Sequence, residues 1–318
     1  MSAQNPPLIG ISSCLLGNKV RYDGQHKLDR YLRDQLGRFV EFVPVCPEVE
    51  CGLSIPREAM RLVDIEGKHR LMTQKTGIDH TPRMQEWGKE KLDGLEQLGL
   101  CGFIFKSRSP SSGMRGVKVY KPDGGAAKSG VGIFARAFME RFPLLPVEDE
   151  GRLHDAGLKE NFIERIFVFK RWQDIIRQGP SLKGLMDFHA DHKLILMAHS
   201  PKVLKELGAL VAGGKDRPLG ELADQYVTTM MEVLKLIATT RKNTNVLEHV
   251  MGYFKKQLSS DEKAELKTLI EDYHRGLIPL IVPVTLLNHY VRKYHETYLA
   301  RQHYLNPHPL ELMLRNHV

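Results

Sequence analysis

The stretch "LIGISSC" (residues 8–14) places an apolar run directly before two serines and a cysteine. A short apolar run bounded by polar residues predicts a buried strand. Two further runs have the same form, "VEFVPVC" (40–46) and "CGFIFKS" (101–107), and amphipathic stretches such as "TPRMQEWGKEKLDGLEQL" (81–98) separate them. Strands that alternate with helices predict an α/β domain with a mostly parallel, Rossmann-like sheet.

The remaining patterns of the first half extend this prediction. "KLDRYLRDQLGRF" (27–39) and "GVGIFARAFMERF" (130–142) have helical periodicity, and Thr81 can cap the helix predicted over 81–98. "RLVDIEG" followed by "HRLMTQ" predicts a hairpin or two edge strands. All of these elements precede the proline-rich and acidic stretch "PLLPVEDEGRL" (143–153), which we interpret as the domain boundary.

Beyond about residue 150 nearly every pattern is helical, which predicts an all-α helical bundle as the second domain. Ser259 with Glu262 fits a capping box, and Gly276 fits the position just after a helix. We therefore predict domains over residues 1–150 and 151–318. The predicted helical stretches are 158–179, 184–214, 219–258 and 259–276.

Composition limits the class of protein. The apolar fraction of 42% and charged fraction of 26% are those of a globular chain, and the net charge of +8 permits a nucleic-acid partner without requiring one. The N-terminus lacks the pattern of a secretory signal, and the longest apolar run, 277–287, is too short to span a bilayer. We therefore expect a cytoplasmic protein. In that reducing compartment its four cysteines are expected to serve metal binding, catalysis or plain burial.

Reactive side chains follow three of the predicted strands. Cys14 ends the first, and Cys46 with Glu48 follows the second. Because ligands of an open α/β sheet gather at the carboxyl ends of its strands, we expect these groups to meet at one edge. The group also includes Ser13, Ser109, Ser111 and Ser112.

Thiolates from separate strand ends suit soft metals and iron–sulfur clusters. The spacing Cys46-x4-Cys51 is neither that of a zinc ribbon nor that of a ferredoxin, so plain burial of these thiols stays open. Cys101, which opens an apolar strand, is expected to be a core thiol. Glu48 also has purely structural explanations, because its carboxylate can cap its loop or pair with Arg57.

A set of linked motifs resembles the thiouracil desulfidase family over about residues 8–145: "SSCLLG", "VRYDG", "VCPE", "PR", "KSRSPSSG" and "VKVY". The helical half, with "FHADHKLILMAHSP" and "NVLEHVMGYFKK", resembles a second, uncharacterised family that is often fused behind the first. Fused members resemble bacterial desulfidases that convert 4-thiouridine in tRNA to uridine. The resemblance implies that activity here.

The resemblance also implies a [4Fe-4S] cluster held by three cysteines, with one open iron that captures the sulfur of the substrate. Cys14 and Cys46 match two ligand positions. The third position normally lies in "SPSCG", where this chain has "SPSSG" with Ser112. Because a serine oxygen suits iron poorly, we predict Cys51 as the third ligand.

The same resemblance assigns Glu48 to the activation of water and Ser109 to proton transfer or substrate positioning, with no net redox change. Alternatively, Ser109 is an ordinary turn residue before Pro110 with no part in the reaction. The side chains predicted to bind the substrate are Ser13, Tyr22, Asp23, Lys106, Ser111 and Ser112.

The helical half carries cations beside amides and aromatic rings, a combination that suits loop or single-stranded RNA. The residues predicted to contact RNA are Lys193, Arg241, Lys242, Asn245, His249, Lys255 and Lys256, with Asn243, Tyr253 and Phe254 as further candidates. His189, His192 and His199 share a helical face and are expected at an interface or on RNA. Two other functions stay open: desulfidation of free thiouracil or thionucleotides, and a non-catalytic module that binds metal or RNA.

Overall fold

The structure is a computed structural model that describes residues 5–122 and 125–317. The chain divides into two units, Met1–Asp155 and Ala156–Val318. The first unit is α/β and contains a four-stranded parallel sheet, whereas the second is built of helices. The predicted fold class is therefore confirmed.

The first unit contains eight strands and three α-helices among its described residues. The strands are β1 (Leu8–Ser12), β2 (Glu41–Val45), β3 (Met60–Ile65), β4 (Lys68–Thr73), β5 (Gly102–Phe105), β6 (Val117–Tyr120), β7 (Ala126–Gly130) and β8 (Val147–Asp149). The helices are α1 (Pro47–Glu50), α2 (Thr81–Leu98) and α3 (Ile133–Arg141).

The first sheet has the strand order β2-β1-β5-β8, and every pair in it is parallel. Its central strands are almost wholly buried, which explains their continuous apolar sequence. Phe103 packs 4.6 Å from Phe138 of α3, measured between ring centroids. A Cβ atom at Gly10 would overlap the Phe103 ring, so β1 needs a glycine where that ring crosses it.

The second sheet has the order β4-β3-β6-β7. Strands β3 and β4 pair antiparallel as the predicted hairpin, β3 pairs parallel with β6, and β6 pairs antiparallel with β7.

Two local predictions in this unit differ from the structure, one in the type and length of a helix and one in the role of a residue. The helix predicted over 27–39 is one π-helical turn, Tyr31–Gln35, and a short 3-10 turn. The amides of Lys27 and Asp29 donate to the carbonyls of Cys14 and Leu15, which holds the start of the stretch against the loop after β1.

Thr81 does not cap α2. It is the first residue of the helix, and its buried Oγ1 accepts from the Leu71 amide at 2.7 Å. The carboxylate of Asp79, two residues earlier, accepts from the Thr81 amide at 2.8 Å and so satisfies the first amide of the helix.

The second unit begins with α4 and contains eight α-helices among its described residues. They are α4 (Ala156–Arg177), α5 (Leu182–His199), α6 (Pro201–Ala212), α7 (Leu219–Val233), α8 (Thr240–Tyr253), α9 (Ser260–His274), α10 (Ile281–Lys293) and α11 (Thr297–Ala300). None of the described helices is both long enough and apolar enough to cross a membrane.

Helix boundaries in this unit follow local capping. The predicted helix over 184–214 is two helices, because Ser200 caps α6 and Pro201 starts it. The predicted helix over 219–258 is interrupted as well, and Thr239 caps α8. The capping box of Ser259 and Glu262 is confirmed at the start of α9.

Candidate active site

A cavity of about 880 Å³ opens at the carboxyl ends of β1, β2 and β5. Most of its wall comes from the segments that follow these strands, as expected for an open parallel sheet. The predicted site residues that line it are Ser13, Cys14, Tyr22, Cys46, Glu48, Lys106, Ser109 and Ser112.

The chain turns sharply after β1 and β2, and this presents the two thiols. Cys14 lies in a 3-10 turn that ends at Gly17, whose φ of 97° favours glycine. Cys46 is extended and directly precedes α1, which starts at Pro47. The Cys46 amide donates to the Glu50 carboxylate at 2.8 Å, so Glu50 closes the start of α1 while Glu48 turns to the cavity.

Glu48 is the centre of the hydrogen-bond network. Its Oε1 accepts from Ser111 Oγ at 2.5 Å, and its Oε2 accepts from the Cys46 thiol at 3.4 Å. Ser111 Oγ lies 3.0 Å from Ser109 Oγ, so a chain of hydroxyls reaches the carboxylate. The Arg57 guanidinium is 3.9 Å from Glu48 Oε2, and the same guanidinium donates to a backbone carbonyl of the loop after β1.

The thiols on the cavity wall are electrostatically unusual. Burial raises the pKa of Cys14 to about 11, with Lys106 opposing and Glu48 adding to the rise. Burial and then Glu48 raise the pKa of Cys46 to about 12. Both thiols are therefore neutral near pH 7 until a strong positive charge favours the thiolates, which is what metal ligation provides.

Cys51 is oriented differently from these two. Its thiol donates to the Glu48 carbonyl oxygen at 3.3 Å, at the end of α1, and its side chain does not line the cavity. Burial, followed by Glu48, raises its pKa. Ser112, by contrast, does line the cavity. The structure thus brings Cys14 and Cys46 to one wall and turns Cys51 toward the backbone of α1.

Over residues 5–122 and 125–317, no three His, Cys, Asp or Glu side chains are placed to hold a single metal ion. The ligands of an iron–sulfur cluster bind different iron atoms, so they lie farther apart than the ligands of one ion. Two buried thiols on the wall of a large cavity fit part of that donor set. The proposed third ligand, Cys51, does not lie with them on the cavity wall.

The other predicted residues of this unit differ in placement. Asp23 does not line the cavity. Its carboxylate instead accepts from the Gln25 amide at 3.0 Å and lies 3.5 Å from Arg21 Nε. Ser111 is fully buried beneath the wall, where it contacts Glu48. Cys101 is buried just before β5 and is not part of the cavity wall.

Glu150, which does not line the cavity but holds two residues of its wall, Lys106 and Ser107, was missed by the sequence interpretation. Its carboxylate accepts from the Ser107 amide at 2.6 Å and from the Ser107 hydroxyl at 2.8 Å, and it also pairs with the Lys106 ammonium. It directly follows β8, the fourth parallel strand. The stretch 143–153 was interpreted as a domain boundary, so the short strand β8 and the residue that follows it were not predicted.

Several residues predicted to contact RNA are exposed on the second unit. Arg241, Asn245 and His249 repeat every four residues along one face of α8, and Lys255 and Lys256 follow that helix. Lys193 on α5 is half-buried and lies near His249, whose pKa is lowered by partial burial and by this lysine.

Other candidates of the second unit serve packing. Lys242 donates to the His199 carbonyl at 2.7 Å. Phe254 and Asn243 are buried, and Asn243 accepts from the Tyr304 hydroxyl. The side chains of Phe254 and Asn243 are therefore not available to RNA, whereas Lys242 is half-buried.

The histidines of α5 are also interior groups. His192 is buried with its Nδ1 at 2.8 Å from the Phe188 carbonyl. His199 is buried with its Nε2 at 2.8 Å from Glu164 Oε1. The expectation that this face lies at an interface or on RNA is wrong for these two, because their rings pack inside the helical unit.

The fold and the cavity together define an α/β domain that presents buried thiols and a carboxylate at one sheet edge. Residues 9–150 match the family described as 2-thiouracil desulfurase. Residues 193–309 match a family described as protein of unknown function, DUF1722.

Two curated relatives match the chain. YbgA of Escherichia coli K12, an uncharacterized protein, is 33% identical over 153 residues, which are 48% of this chain and 90% of the relative. YbbK of Bacillus subtilis 168, also uncharacterized, is 30% identical over 112 residues, 33% of this chain and 73% of the relative. At these identities and coverages the chain belongs to the families of both relatives, and it joins a 2-thiouracil desulfurase domain to a DUF1722 domain.

One solved structure also matches, that of the [4Fe-4S]-dependent thiouracil desulfidase TudS. It is 31% identical in sequence, and the match covers 47% of this chain and 94% of that chain with a TM-score of 0.38.

Proposed function

We propose that this protein is a [4Fe-4S]-dependent desulfidase that converts 4-thiouridine in tRNA to uridine. The observation that carries the proposal is the meeting of Cys14, Cys46 and Glu48 on one cavity, within the segment that matches the 2-thiouracil desulfurase family. Buried thiols beside a carboxylate, at the ligand edge of a parallel sheet, suit a metal-assisted reaction.

Cys14, Cys46 and Cys51 are the residues proposed to hold the cluster. Cys51 is included because a sulfur ligand suits iron better than the Ser112 hydroxyl does, and to reach the cavity its thiol has to leave the Glu48 carbonyl oxygen to which it donates in the structure. When bound, the cluster supplies a soft Lewis acid for the departing sulfur.

Glu48 is proposed as the general base. Water adds to the thiocarbonyl carbon and loses a proton to the Glu48 carboxylate. The carbon–sulfur bond then breaks, so that thiocarbonyl and water become carbonyl and hydrogen sulfide with no net change of oxidation state. The contacts of Glu48 with Ser111 and Arg57 hold its carboxylate in place.

Ser109 is proposed to position the substrate and pass a proton. Its hydroxyl lines the cavity and lies 3.0 Å from Ser111 Oγ, which donates to Glu48. A hydroxyl pair of this kind links the Ser109 part of the cavity wall to the carboxylate by hydrogen bonds.

The helical unit supports a polymeric substrate. Its exposed face on α8, with Arg241, Asn245 and His249, offers a cation, an amide and an imidazole at successive turns. Such groups suit phosphates and unstacked bases.

The substrate assignment is tested on the anaerobically reconstituted full chain. Bulk bacterial tRNA and free 2-thiouracil are offered together, and the nucleosides and bases are then quantified by liquid chromatography. We expect loss of 4-thiouridine from tRNA with a matching gain of uridine. Loss of thiouracil alone would instead assign the free base as the substrate.

The third ligand is tested with two variants. Cys51→Ser is expected to lower bound iron and the visible iron–sulfur absorption after reconstitution, because it removes a sulfur donor. Ser112→Ala, which changes a hydroxyl on the cavity wall, is expected to retain both. Intact iron binding in Cys51→Ser together with its loss in Ser112→Ala would place the ligand at Ser112.

A further inference from the structure

The helical unit contains a second cavity, of about 130 Å³, which shares no lining residue with the first. Its wall is formed by α4, by the ends of α5 and α9, by the start of α8 and by the C-terminal segment. Ile237, Thr240 and Gly276 of this wall are exposed, so the mouth of the cavity lies at the surface. An engineered cavity of roughly 150 Å³ binds benzene, and a space of this size therefore holds one planar six-membered ring.

The floor of this second cavity is charged. Two carboxylates one turn apart on α4, those of Glu160 and Glu164, both contact the buried Arg315 guanidinium. Arg315 Nε donates to Glu160 Oε1 at 3.1 Å, and its Nη2 lies 3.5 Å from Glu164 Oε2. His199 Nε2 lies 2.8 Å from Glu164 Oε1. Because charges removed from water are costly unless they are well hydrogen-bonded, these contacts show which group has capacity left for a ligand.

Glu160 is the carboxylate with an oxygen available to a ligand. Its Oε2 lies 3.7 Å from His317 Nε2, which is longer than a hydrogen bond. Burial raises the pKa of Glu160, with Arg315 opposing and Glu164 adding to the rise. Burial acts in the same direction on Glu164, but the hydrogen bond and charge of His199 lower its pKa. Of the two carboxylates, Glu160 therefore gains more from a further donor.

Arg315 offers the complementary groups. A guanidinium carries five N–H donors. Three of them face described partners, namely Glu160, Glu164 and the Tyr304 carbonyl oxygen at 2.6 Å. Two donors are left on a side chain that lines the cavity. The floor thus combines one available acceptor with two available donors.

Cytosine is the single-ring base whose edge matches this set. Its amino group donates, its ring N3 and its O2 accept, and a glutamate that accepts from the cytosine amino group is a recurrent pairing. A purine has two fused rings and exceeds the volume of the cavity. The faces of an unstacked base pack on apolar and aromatic side chains. Ile237, Ile278, Leu280 and Tyr273 provide such walls here.

The mouth of the cavity adjoins the start of α8. Thr240, the first residue of α8, lines the cavity, and the exposed Arg241 follows it directly. The loop that carries Ile237 is held by the Asn161 side-chain amide, which donates to the Leu234 carbonyl oxygen at 2.9 Å. A cation beside a base cavity suits the phosphate of the bound nucleotide.

We propose that this cavity is a cytosine-binding site of the helical unit, which takes one unstacked cytosine of a nucleotide or of single-stranded RNA. Glu160 accepts from the amino group of the base, Arg315 donates to its two acceptors, and the phosphate lies at Arg241. The inference goes beyond the proposed function, because no residue of the proposed reaction centre lines this cavity and binding there needs no desulfidation.

Binding of cytidine tests the site without turnover. Cytidine, N4,N4-dimethylcytidine and adenosine are titrated into the reconstituted full chain by calorimetry. We expect cytidine to bind at least about tenfold more tightly than the other two, because the dimethyl compound has no amino hydrogen and adenosine is too large. Glu160→Gln should lose most of this preference. The matched control is Glu248→Gln, which removes an exposed carboxylate of α8 outside the cavity wall and should bind cytidine as the wild type does.

Ile237→Trp is a second variant that leaves the buried charges untouched. Ile237 is 46% exposed at the mouth, so the larger ring narrows the cavity with little effect on the core, and cytidine binding should be lost. Circular dichroism shows whether each variant is folded, and Ile237→Trp decides the matter if Glu160→Gln is not. Equal affinities for cytidine and N4,N4-dimethylcytidine in the wild type would overturn the site. Cytidine binding that survives in a folded variant, or that is lost equally in Glu248→Gln, would overturn it too.

Oligonucleotides separate the two sources of cytosine. Short oligocytidylate and oligouridylate are compared by fluorescence anisotropy in the wild type, Glu160→Gln and Arg241→Gln. A preference for oligocytidylate that both variants lose supports a site for single-stranded RNA. Cytidine-selective binding without any preference between the oligonucleotides supports a site for free cytosine nucleotides. Selectivity for neither cytidine nor oligocytidylate overturns the proposal.

Discussion

Replacing Cys46 by alanine should abolish the bound cluster and bring desulfidase activity below detection. Cys46 is buried on the cavity wall, and its thiol contacts Glu48 at 3.4 Å. Since iron–sulfur clusters are held by thiolates, loss of one donor from a three-cysteine set leaves an iron without its ligand. Iron content, acid-labile sulfide and visible absorption after anaerobic reconstitution measure the effect, and Cys14→Ala should behave in the same way.

Cys101→Ala is the matched control for these variants. Cys101 is more deeply buried than the other two and lies outside the cavity wall. We expect Cys101→Ala to bind iron and turn over substrate as the wild type does, provided that circular dichroism shows each variant folded. An undiminished cluster in folded Cys46→Ala would refute the assignment of this cysteine.

Glu48→Gln should retain the cluster but lower kcat by about 10²–10⁴-fold, the usual contribution of a general acid or base. The amide keeps the shape of the side chain and can still accept from Ser111, but it cannot take a proton from water. Steady-state kinetics under anaerobic conditions measure the change. Because the loss is in the chemical step, we expect KM to move little.

Glu50→Gln serves as the control for charge in the same short helix. Glu50 accepts from the Cys46 amide and pairs with Lys91 at 2.8 Å, so its contacts are structural. An amide retains the first contact, and activity should stay within severalfold of the wild type. If Glu50→Gln and Glu48→Gln lose activity equally, the role given to Glu48 is wrong.

The sequence predicted the strands that build the site because each is a short apolar run ending at a reactive residue. β1, β2 and β5 are fully or partly buried parallel strands, and the sequence pattern predicted both the strands and the residues at which they end. β8 was not visible, because three residues with two acids carry no strand pattern. Glu150 was missed with it.

Contacts between distant segments could not be predicted. Ser111 is 63 residues from Glu48, and nothing local indicates that its hydroxyl donates to that carboxylate. The π-helical turn at Tyr31–Gln35 has the same cause, since the stretch is held by backbone bonds to the loop after β1. The orientation of the Cys51 side chain depends on the residue at which α1 ends, and sequence patterns do not predict helix ends to a single residue.

The most direct measurement of the central claim is turnover of 4-thiouridine in oxygen-18-labelled water by the reconstituted full chain, beside the same chain without iron. The account predicts uridine that carries the heavy oxygen, sulfide in an equal amount, and no product from the iron-free sample. Equal product from the iron-free sample, or uridine without the heavy oxygen, would contradict a cluster-dependent hydrolysis at this cavity.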